Sequence, residues 1–336
     1  MLRTLIIKPE SLPLRTPFRI SRGVKTATEV VVVELHEEGL VGRGECVPYP
    51  RYGESCANVI AQLQPLEARI AAGEPFDNLA GYLPAGAARN ALDCAIWDLL
   101  ARRTGQTVAE RLGREHPASL AAAITIGLDS VGAMRAAAQQ AAGSPIIKVK
   151  LDADDAPARF EAVAEAAQGS QFIIDPNESW NIATLRQMES VVARYRVMMV
   201  EQPLPADADE DLRDLDYPAP ICADEAVHTT DDLDAIGDKY SVVNIKLDKT
   251  GGLTEALRLQ AAARAGGFQV MTGCMICSSL SIAPALFIAS ASDFADLDGP
   301  WWLAQDRDGG CRFENGMILP PRPGFWGDLG MKGEAE

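Results

Sequence analysis

From about Leu120 onward the sequence repeats one pattern: a short apolar strand, then an Ala-, Leu- and Arg-rich helical segment, at a spacing of about 25 residues. Eight such strands can be read, and alternation at that period predicts βα units around a parallel sheet. The predicted fold class is therefore α/β, a (β/α)8-type barrel, preceded by a first third that follows a different grammar and reads as α+β. An open doubly wound sheet would use the same alternation, but no GxGxxG follows any of the strands.

In the first third, Thr28–Leu35 is a β-branched strand in which Val30 to Val33 run without interruption. Glu37-Glu38-Gly39 turns it into Leu40–Glu45, which makes a hairpin. A loop with aromatic and polar side chains follows, Pro48-Tyr49-Pro50-Arg51-Tyr52-Gly53-Glu54, and then helical patterning from Ala57 to Ala72. Ala87–Arg103 is a strongly apolar helix with Leu92, Ala95, Ile96 and Leu99 at helical spacing, and its Asp93 and Asp98 are expected to serve helix and domain contacts. The barrel strands are read at Ala121–Ile126, Ile146–Lys150, Phe172–Asp175, Val197–Glu201, Ile221–Asp224, Val242–Lys246, Phe268–Thr272 and Phe294–Asp298. A Pro- and Gly-rich segment with apolar Met317-Ile318-Leu319 ends the chain and is expected to return to the N-terminal unit. The implied division is 1–117, 118–305 and 306–336.

Composition narrows the function. Of 336 residues 47% are hydrophobic and 23% charged, an ordinary globular balance. The net charge of -16 argues against nucleic acid and anionic membranes as partners, although a local basic pocket could still hold a small anion. Met1 to Leu5 shows neither the apolar core nor the cleavage site of a signal peptide, and no run reaches transmembrane length. Seven scattered cysteines are expected to be free thiols in a reducing cytoplasm. Cys274-Met275-Ile276-Cys277 is their one CxxC pair, and no second pair accompanies it to complete a zinc site.

Chemistry is concentrated at the strand ends, where a (β/α)8 barrel carries its active site. Ile146–Lys150 places Lys148 and Lys150 on one face of an apolar strand, and lysines are rarely buried unless paired or functional. Asp175, Glu201 and Asp224 end three consecutive strands, and three carboxylates crowded on one rim repel unless a cation neutralises them. All-oxygen ligation suits Mg²⁺, with Mn²⁺ as the substitute, rather than zinc. His36, His116 and His228 all fall outside the strand ends. Lys150 ends the second strand and Lys246 the sixth, so they face each other across the ring. One lysine of depressed pKa could take a proton α to a metal-held carboxylate and the other return it on the opposite face, a racemisation or epimerisation through an enolate. Lys148 would lower the pKa of Lys150 and contact the carboxylate.

These motifs, Lys148-Val149-Lys150, Asp175-Pro176-Asn177, Glu201-Gln202-Pro203, Ala223-Asp224-Glu225 and Asn244 to Gly252, resemble the enolase superfamily, muconate-lactonizing subgroup. The resemblance covers nearly the whole chain and implies a modified TIM barrel. An α+β capping domain would come from 1–117, with substrate-specificity loops, and 306–336 would return to it. Catalytic Lys150 and Lys246 and one Mg²⁺ per subunit on Asp175, Glu201 and Asp224 are implied in turn.

Asp296-Leu297-Asp298 resembles the DxD motif with which dipeptide epimerases bind a substrate ammonium, and paired carboxylates suit such a cation. Gly273-Cys274-Met275 is similar to the loop that flanks the dipeptide in those enzymes. Ile20-Ser21-Arg22-Gly23 and Tyr49 to Glu54 resemble the L-Ala-D/L-Glu epimerases of murein peptide recycling, which implies Arg22 as the ligand of the glutamate side chain. Thr125 on the first barrel strand stands near a family substrate contact, and Cys277 replaces an acid common in the family. The implied partner is a small dipeptide, with room for a homo-oligomer. The alternatives within the scaffold are a dipeptide epimerase of other specificity or an o-succinylbenzoate synthase or cycloisomerase, whose substrates lack the ammonium that Asp296 and Asp298 would hold. A non-catalytic metal-binding barrel would have no need of two lysines flanking a carboxylate triad.

Overall fold

The computed structural model describes residues 3–76 and 81–329. Met1 and Leu2, and residues 330–336 of the C-terminal segment, lie outside the described residues.

The N-terminal unit is built on a long antiparallel hairpin of β1 (Arg3–Ile20) and β2 (Gly23–Glu37), completed by β3 (Leu40–Cys46) in the order β1-β2-β3. The sequence reading caught only the inner part of β2 and missed β1. Pro9, Pro13 and Pro17 interrupt any strand pattern there, yet β1 is an edge strand, where a missing N–H is tolerated, and its register shifts between Pro13 and Phe18. The unbroken run Val30–Val33 has a structural reason. Val31 and Val33 pack under the helices of the first unit, whereas Val30 and Val32 belong to the core shared with the barrel, so β2 is buried on both faces.

Four helices cover this sheet: α1 (Cys56–Leu63), α2 (Leu66–Ala71), α3 (Ala87–Thr104) and α4 (Val108–Leu112). The expected helix 57–72 is broken where Pro65 stands between α1 and α2. α3 lies directly on β3, and a side chain at Gly42 or Gly44 would run into its backbone at Ala95 and Ala91. Asp93 and Asp98 serve contacts as expected. Asp93 accepts from the Thr254 amide at 3.0 Å, and Asp98 accepts from the amides of Arg43 at 2.9 Å and Gly327 at 2.8 Å.

The first expected barrel strand divides in two. β4 (Leu120–Ala121) leaves the barrel to pair with the C-terminal hairpin, and β5 (Ile124–Ile126) begins the parallel sheet. It continues through β6 (Ile146–Lys150), β7 (Gln171–Asp175), β8 (Val197–Glu201), β9 (Ile221–Ala223), β10 (Val242–Ile245), β11 (Gln269–Gly273) and β12 (Phe294–Asp296), in that ring order. The intervening helices are α5 (Val131–Gln140), α6 (Ala156–Ala166), α7 (Ile182–Arg194), α8 (Leu233–Ile236), α9 (Leu247–Thr250), α10 (Leu253–Ala265) and α11 (Ser279–Ala289). Between β12 and β5 the Ala123 amide donates to Ala295 O at 2.9 Å, so the barrel is nearly closed.

β13 (Arg312–Glu314) and β14 (Met317–Leu319) form the final hairpin, to which β4 adds a third strand. Beyond it the chain meets the N-terminal unit. The Trp326 indole donates to Arg43 O at 2.9 Å, Arg43 donates to Phe325 O, and the Val108 amide donates to Gly327 O at 2.8 Å. Among the described residues no helix is long and apolar enough to cross a membrane.

Candidate active site

Strand alternation carries the barrel interior from an apolar plug to a charged rim. Ala123, Ile146, Ile173, Met199, Cys222, Val242 and Met271 pack together as one buried cluster. Two residues further along the same faces stand Thr125, Lys148, Asp175, Glu201, Asp224, Asn244 and Gly273, and Lys150 and Lys246 come two beyond that. All of the charged ones are buried. Above them lies a cavity of about 500 Å³, roofed by the β1–β2 hairpin tip, by Tyr49–Tyr52 and by Cys274–Ile276.

Lysines and acids are interleaved on this rim. Lys148 Nζ sits 2.9 Å from Asp175 Oδ2, 2.7 Å from Glu201 Oε2 and 2.7 Å from Asp296 Oδ2. Lys150 Nζ lies 2.5 Å from Asp175 Oδ2, its register neighbour, and Lys246 Nζ lies 2.6 Å from Asp224 Oδ2. Lys249 Nζ donates to Asp224 Oδ1 at 2.7 Å. Burial disfavours the Lys246 ammonium, but Asp224 and Glu201 outweigh it and raise its pKa. The expectation of a depressed lysine pKa is thus reversed for Lys246, because its carboxylate partner is within ion-pair distance. The same balance of burial against Asp175, Asp296 and Glu201 raises Lys148. Asp175 and Asp224, though buried, are held well below the usual carboxylate range by their lysines.

With lysines set between the acids, no three of the described His, Cys, Asp or Glu residues stand together at metal-ligand spacing. The donor set nevertheless fits an oxygen-seeking cation. Glu201 Oε2 is buried and, despite the nearby Lys148 ammonium, receives no hydrogen bond. Burial and the charges of Asp175 and Asp224 push the Glu201 carboxyl up to about 7. A carboxylate raised in this way by two neighbouring carboxylates marks a spot deficient in positive charge, and three oxygen donors suit Mg²⁺. Glu201 Oε1 is oriented by the Asn244 amide at 2.9 Å.

On the eighth strand, Asp296 and Asp298 both line the cavity. Asp296 gives Oδ2 to Lys148 and leaves Oδ1 buried without a partner. Asp298 Oδ2 accepts from the Thr125 amide at 2.8 Å and the Trp302 indole at 3.2 Å, and burial and Asp296 push its carboxyl up to about 6. Thr125 and Cys274 also line the cavity.

At the hairpin tip Arg22 lines the same cavity. Its guanidinium is engaged by the protein itself: Glu225 Oε1 at 2.7 Å, Glu178 Oε2 at 3.0 Å, Tyr49 OH at 3.1 Å and Asn177 O at 3.2 Å. Glu178 also binds Arg51 at 2.7 Å. Arg22 therefore fastens the hairpin to the loops after β7 and β9. Among the described cations lining the cavity, Lys25, two residues past Gly23, is the one without an ion-pair partner. It lines the same cavity, has its ammonium 5.1 Å from the centroid of the Tyr49 ring, and forms no ion pair with any described carboxylate. Burial and then Arg22 lower its pKa, as expected for an ammonium held out of water without a counter-charge.

Several site residues escaped the sequence reading. Asn244 and Lys249 sit inside a motif that was noted, and Asn244 shares a face with Lys246 by simple alternation. The Gln202 amide oxygen accepts from the Asp224 and Ala226 amides at 2.9 and 3.1 Å, so it shapes the turn after β9. Lys25 carried a weaker signal, a lone basic residue on a hairpin flank.

Two family profiles match the chain: mandelate racemase/muconate lactonizing enzyme, N-terminal domain, over residues 2–113, and enolase C-terminal domain-like, over residues 133–326. The chain is similar to L-Ala-D/L-Glu epimerase of Escherichia coli (strain K12), with 47% identity over 94% of this chain and 99% of that one. It is also similar to N-acetyl-D-glutamate racemase of a Pseudoalteromonas species, with 42% identity over 89% of this chain and 95% of that one. Among solved structures, an enolase family member from Agrobacterium tumefaciens with bound sodium and L-Ala-L-Glu superposes with a TM-score of 0.94 at 44% identity, covering 97% of this chain and 100% of that one. A dipeptide epimerase from Methylococcus capsulatus complexed with Mg and L-Arg-D-Lys gives 0.87 at 33% identity, covering 97% and 99%.

Proposed function

Because the chain belongs to the enolase superfamily, in its mandelate racemase/muconate lactonizing enzyme branch, and is an isomerase of that group, we propose that it epimerises dipeptides of the L-Ala-D/L-Glu type. The observation that carries this reading is the pairing, in one cavity, of two opposed lysines with a partnerless carboxylate oxygen on Asp296 and a Lys25 ammonium that rests on Tyr49 with no ion pair to a described carboxylate. A zwitterionic dipeptide with an acidic second residue presents the matching charges: an ammonium for Asp296 and Asp298, and a side-chain carboxylate for Lys25.

Asp175, Glu201 and Asp224 would hold a Mg²⁺, whose charge would offset the negative charge that loss of the α-proton places on the substrate carboxylate. Lys150 takes the α-proton from one face, and Lys246 delivers a proton to the other, inverting the carbon. With the lysines exchanging roles, the reverse reaction follows. Lys148 stays charged between Asp175, Glu201 and Asp296 and fixes the depth of the rim. Asp298, tied to Thr125 and Trp302, orients the eighth-strand end so that Asp296 Oδ1 faces the substrate ammonium. Lys25 selects a carboxylate at the end of the second side chain, and Tyr49 supports it from below. The expected setting is recycling of murein peptides in the cytoplasm.

A second reading comes from the relative that acts on N-acetyl-D-glutamate, a substrate with the same two carboxylates but no ammonium. The unsatisfied Asp296 oxygen favours the dipeptide. Incubation with L-Ala-L-Glu, or with N-acetyl-L-glutamate, and Mg²⁺ in D₂O, followed by proton NMR, separates the two. Loss of the glutamate α-proton signal with growth of the L,D diastereomer is expected for the dipeptide. Exchange confined to the N-acetyl compound would overturn the assignment.

A further inference from the structure

The Cys274-Met275-Ile276-Cys277 motif has no part in the proton-transfer chemistry, yet it forms one wall of the catalytic cavity. Its two ends differ. Cys274 borders the cavity and is partly exposed, and Cys277 is fully buried beneath it. The segment lies between β11 and α11 and bends at Ile276, and burial first, then the neighbouring Cys274 thiol, pushes the Cys277 thiol well above its ordinary range. Spacing of three residues across a bend brings Cα atoms within the reach of a disulfide.

The buried end is fixed. Thr28 donates to Ile276 O at 2.8 Å from the N-terminal sheet. Gly299 presses its bare Cα on the other side, where an added Cβ would lie 2.6 Å from Met275 O and 3.0 Å from Cys277 Sγ. Any approach of the two sulfurs must therefore come from movement of Cys274.

We propose that Cys274 and Cys277 are an oxidisable dithiol, and that its conversion to a disulfide withdraws Cys274 and the Gly273–Cys274 backbone from the substrate cavity. The oxidant would be a peroxide small enough to enter the cavity. The Cys274 sulfur attacks one peroxide oxygen, the O–O bond breaks, and the leaving oxygen departs as water with the thiol proton, giving a sulfenic acid. The Cys277 sulfur then attacks the Cys274 sulfur, the S–O bond breaks, and a second water leaves with the Cys277 proton. Two electrons pass from the dithiol to the peroxide, and a reduced dithiol returns them by exchange. Cys311, partly exposed and with its thiol pushed up mainly by burial and in small part by Cys274, is the competing partner.

The experiment treats the intact enzyme with hydrogen peroxide, blocks remaining thiols with N-ethylmaleimide and identifies the linked peptides by mass spectrometry. The expected product lacks two hydrogens and joins Cys274 to Cys277. The KM for L-Ala-L-Glu should rise about tenfold or more, as for a small displacement of a binding wall, and return with dithiothreitol. Cys277→Ser should form no such disulfide under the same exposure, and Cys311→Ser should oxidise like the parent. A Cys274–Cys311 bridge, a sulfinic acid at Cys274, or a Cys274–Cys277 disulfide without change in KM would each overturn the proposal. The kinetic readout rests on the dipeptide reading and the mass readout does not, so an enzyme that never epimerises L-Ala-L-Glu would sink that reading alone.

Discussion

Asp298 Oδ2 accepts the Thr125 amide at 2.8 Å across the seam where the last barrel strand meets the first. A side chain here takes the place of a ladder acceptor, so Asp298 serves the fold as well as the cavity it lines. Asp298→Ala leaves the Thr125 amide and the Trp302 indole without acceptor, and should lower stability by about 1–3 kcal/mol. Asp298→Asn keeps an acceptor and should unfold close to wild type. Urea midpoints of the two variants decide this, and equal midpoints would remove Asp298 from the seam.

Lys25 is assigned to the side-chain carboxylate of the substrate. Lys25→Met should reduce kcat/KM for L-Ala-L-Glu by about 10- to 100-fold, the worth of one charge-assisted hydrogen bond. The same variant should handle L-Ala-L-Met as well as wild type or better. Arg22→Met should instead loosen the hairpin and depress both substrates together. Steady-state kinetics with the two dipeptides separate these roles.

Lys150 and Lys246 occupy opposite sides of the ring, and each should serve one face of the α-carbon. Replacing either by Gln should cut epimerisation by a factor on the order of 10² to 10⁴. The surviving lysine should still exchange the α-proton of one diastereomer with D₂O, and the two variants should favour opposite diastereomers. Exchange of both diastereomers by a single variant would mean that one base reaches both faces.

Metal binding should register without turnover. Saturation with Mg²⁺ at 100 times its Kd should stabilise the wild type by about 2.7 kcal/mol, read as a thermal shift and reversed by EDTA. Glu201→Gln removes the central carboxylate charge and should abolish most of that shift. A full shift in the variant would place the ion elsewhere.

Asp248 predicts a pH effect on folding. Its carboxyl is buried, accepts from the Val47 amide at 3.0 Å and the Asn90 amide at 2.7 Å, and is pushed up from 3.8 to about 7, chiefly by burial. Between those values the folded chain holds a proton that the unfolded chain has lost. The contribution of Asp248 therefore falls as pH rises from about 4 to about 7 and levels off above. Asp248→Asn should consequently gain stability relative to wild type between pH 5 and pH 8, by more than about 1 kcal/mol. A constant difference across that range would rule out the shift.

Barrel and rim were legible in the sequence because burial leaves a mark there. An apolar strand that ends in Lys150, Asp175 or Glu201 breaks its own pattern, and only a partner or a ligand makes that break tolerable. β1 was illegible because an exposed edge strand imposes little alternation and accepts prolines. The protein contacts of Arg22 were illegible for a different reason. Sequence marks a basic residue at a loop tip, but only the structure shows that Glu178 and Glu225, from two distant loops, bind it, and that Lys25 nearby has no ion-pair partner among the described residues. Gln202 was hidden because it binds no substrate; its amide serves the backbone of a neighbouring turn.

The knot between the chain's end and its first unit bears on synthesis. Asp98 is buried in α3 and takes one of its amide donors from Gly327, while Val108 donates back to Gly327 O. On a ribosome these partners emerge more than two hundred residues apart, a separation of 229 positions for Asp98 and Gly327. The nascent first unit must therefore wait, with a buried carboxylate short of a donor, until the whole barrel has been translated. Truncated chains that stop before Phe325 should accordingly be targets for chaperones and proteases, however complete their barrel.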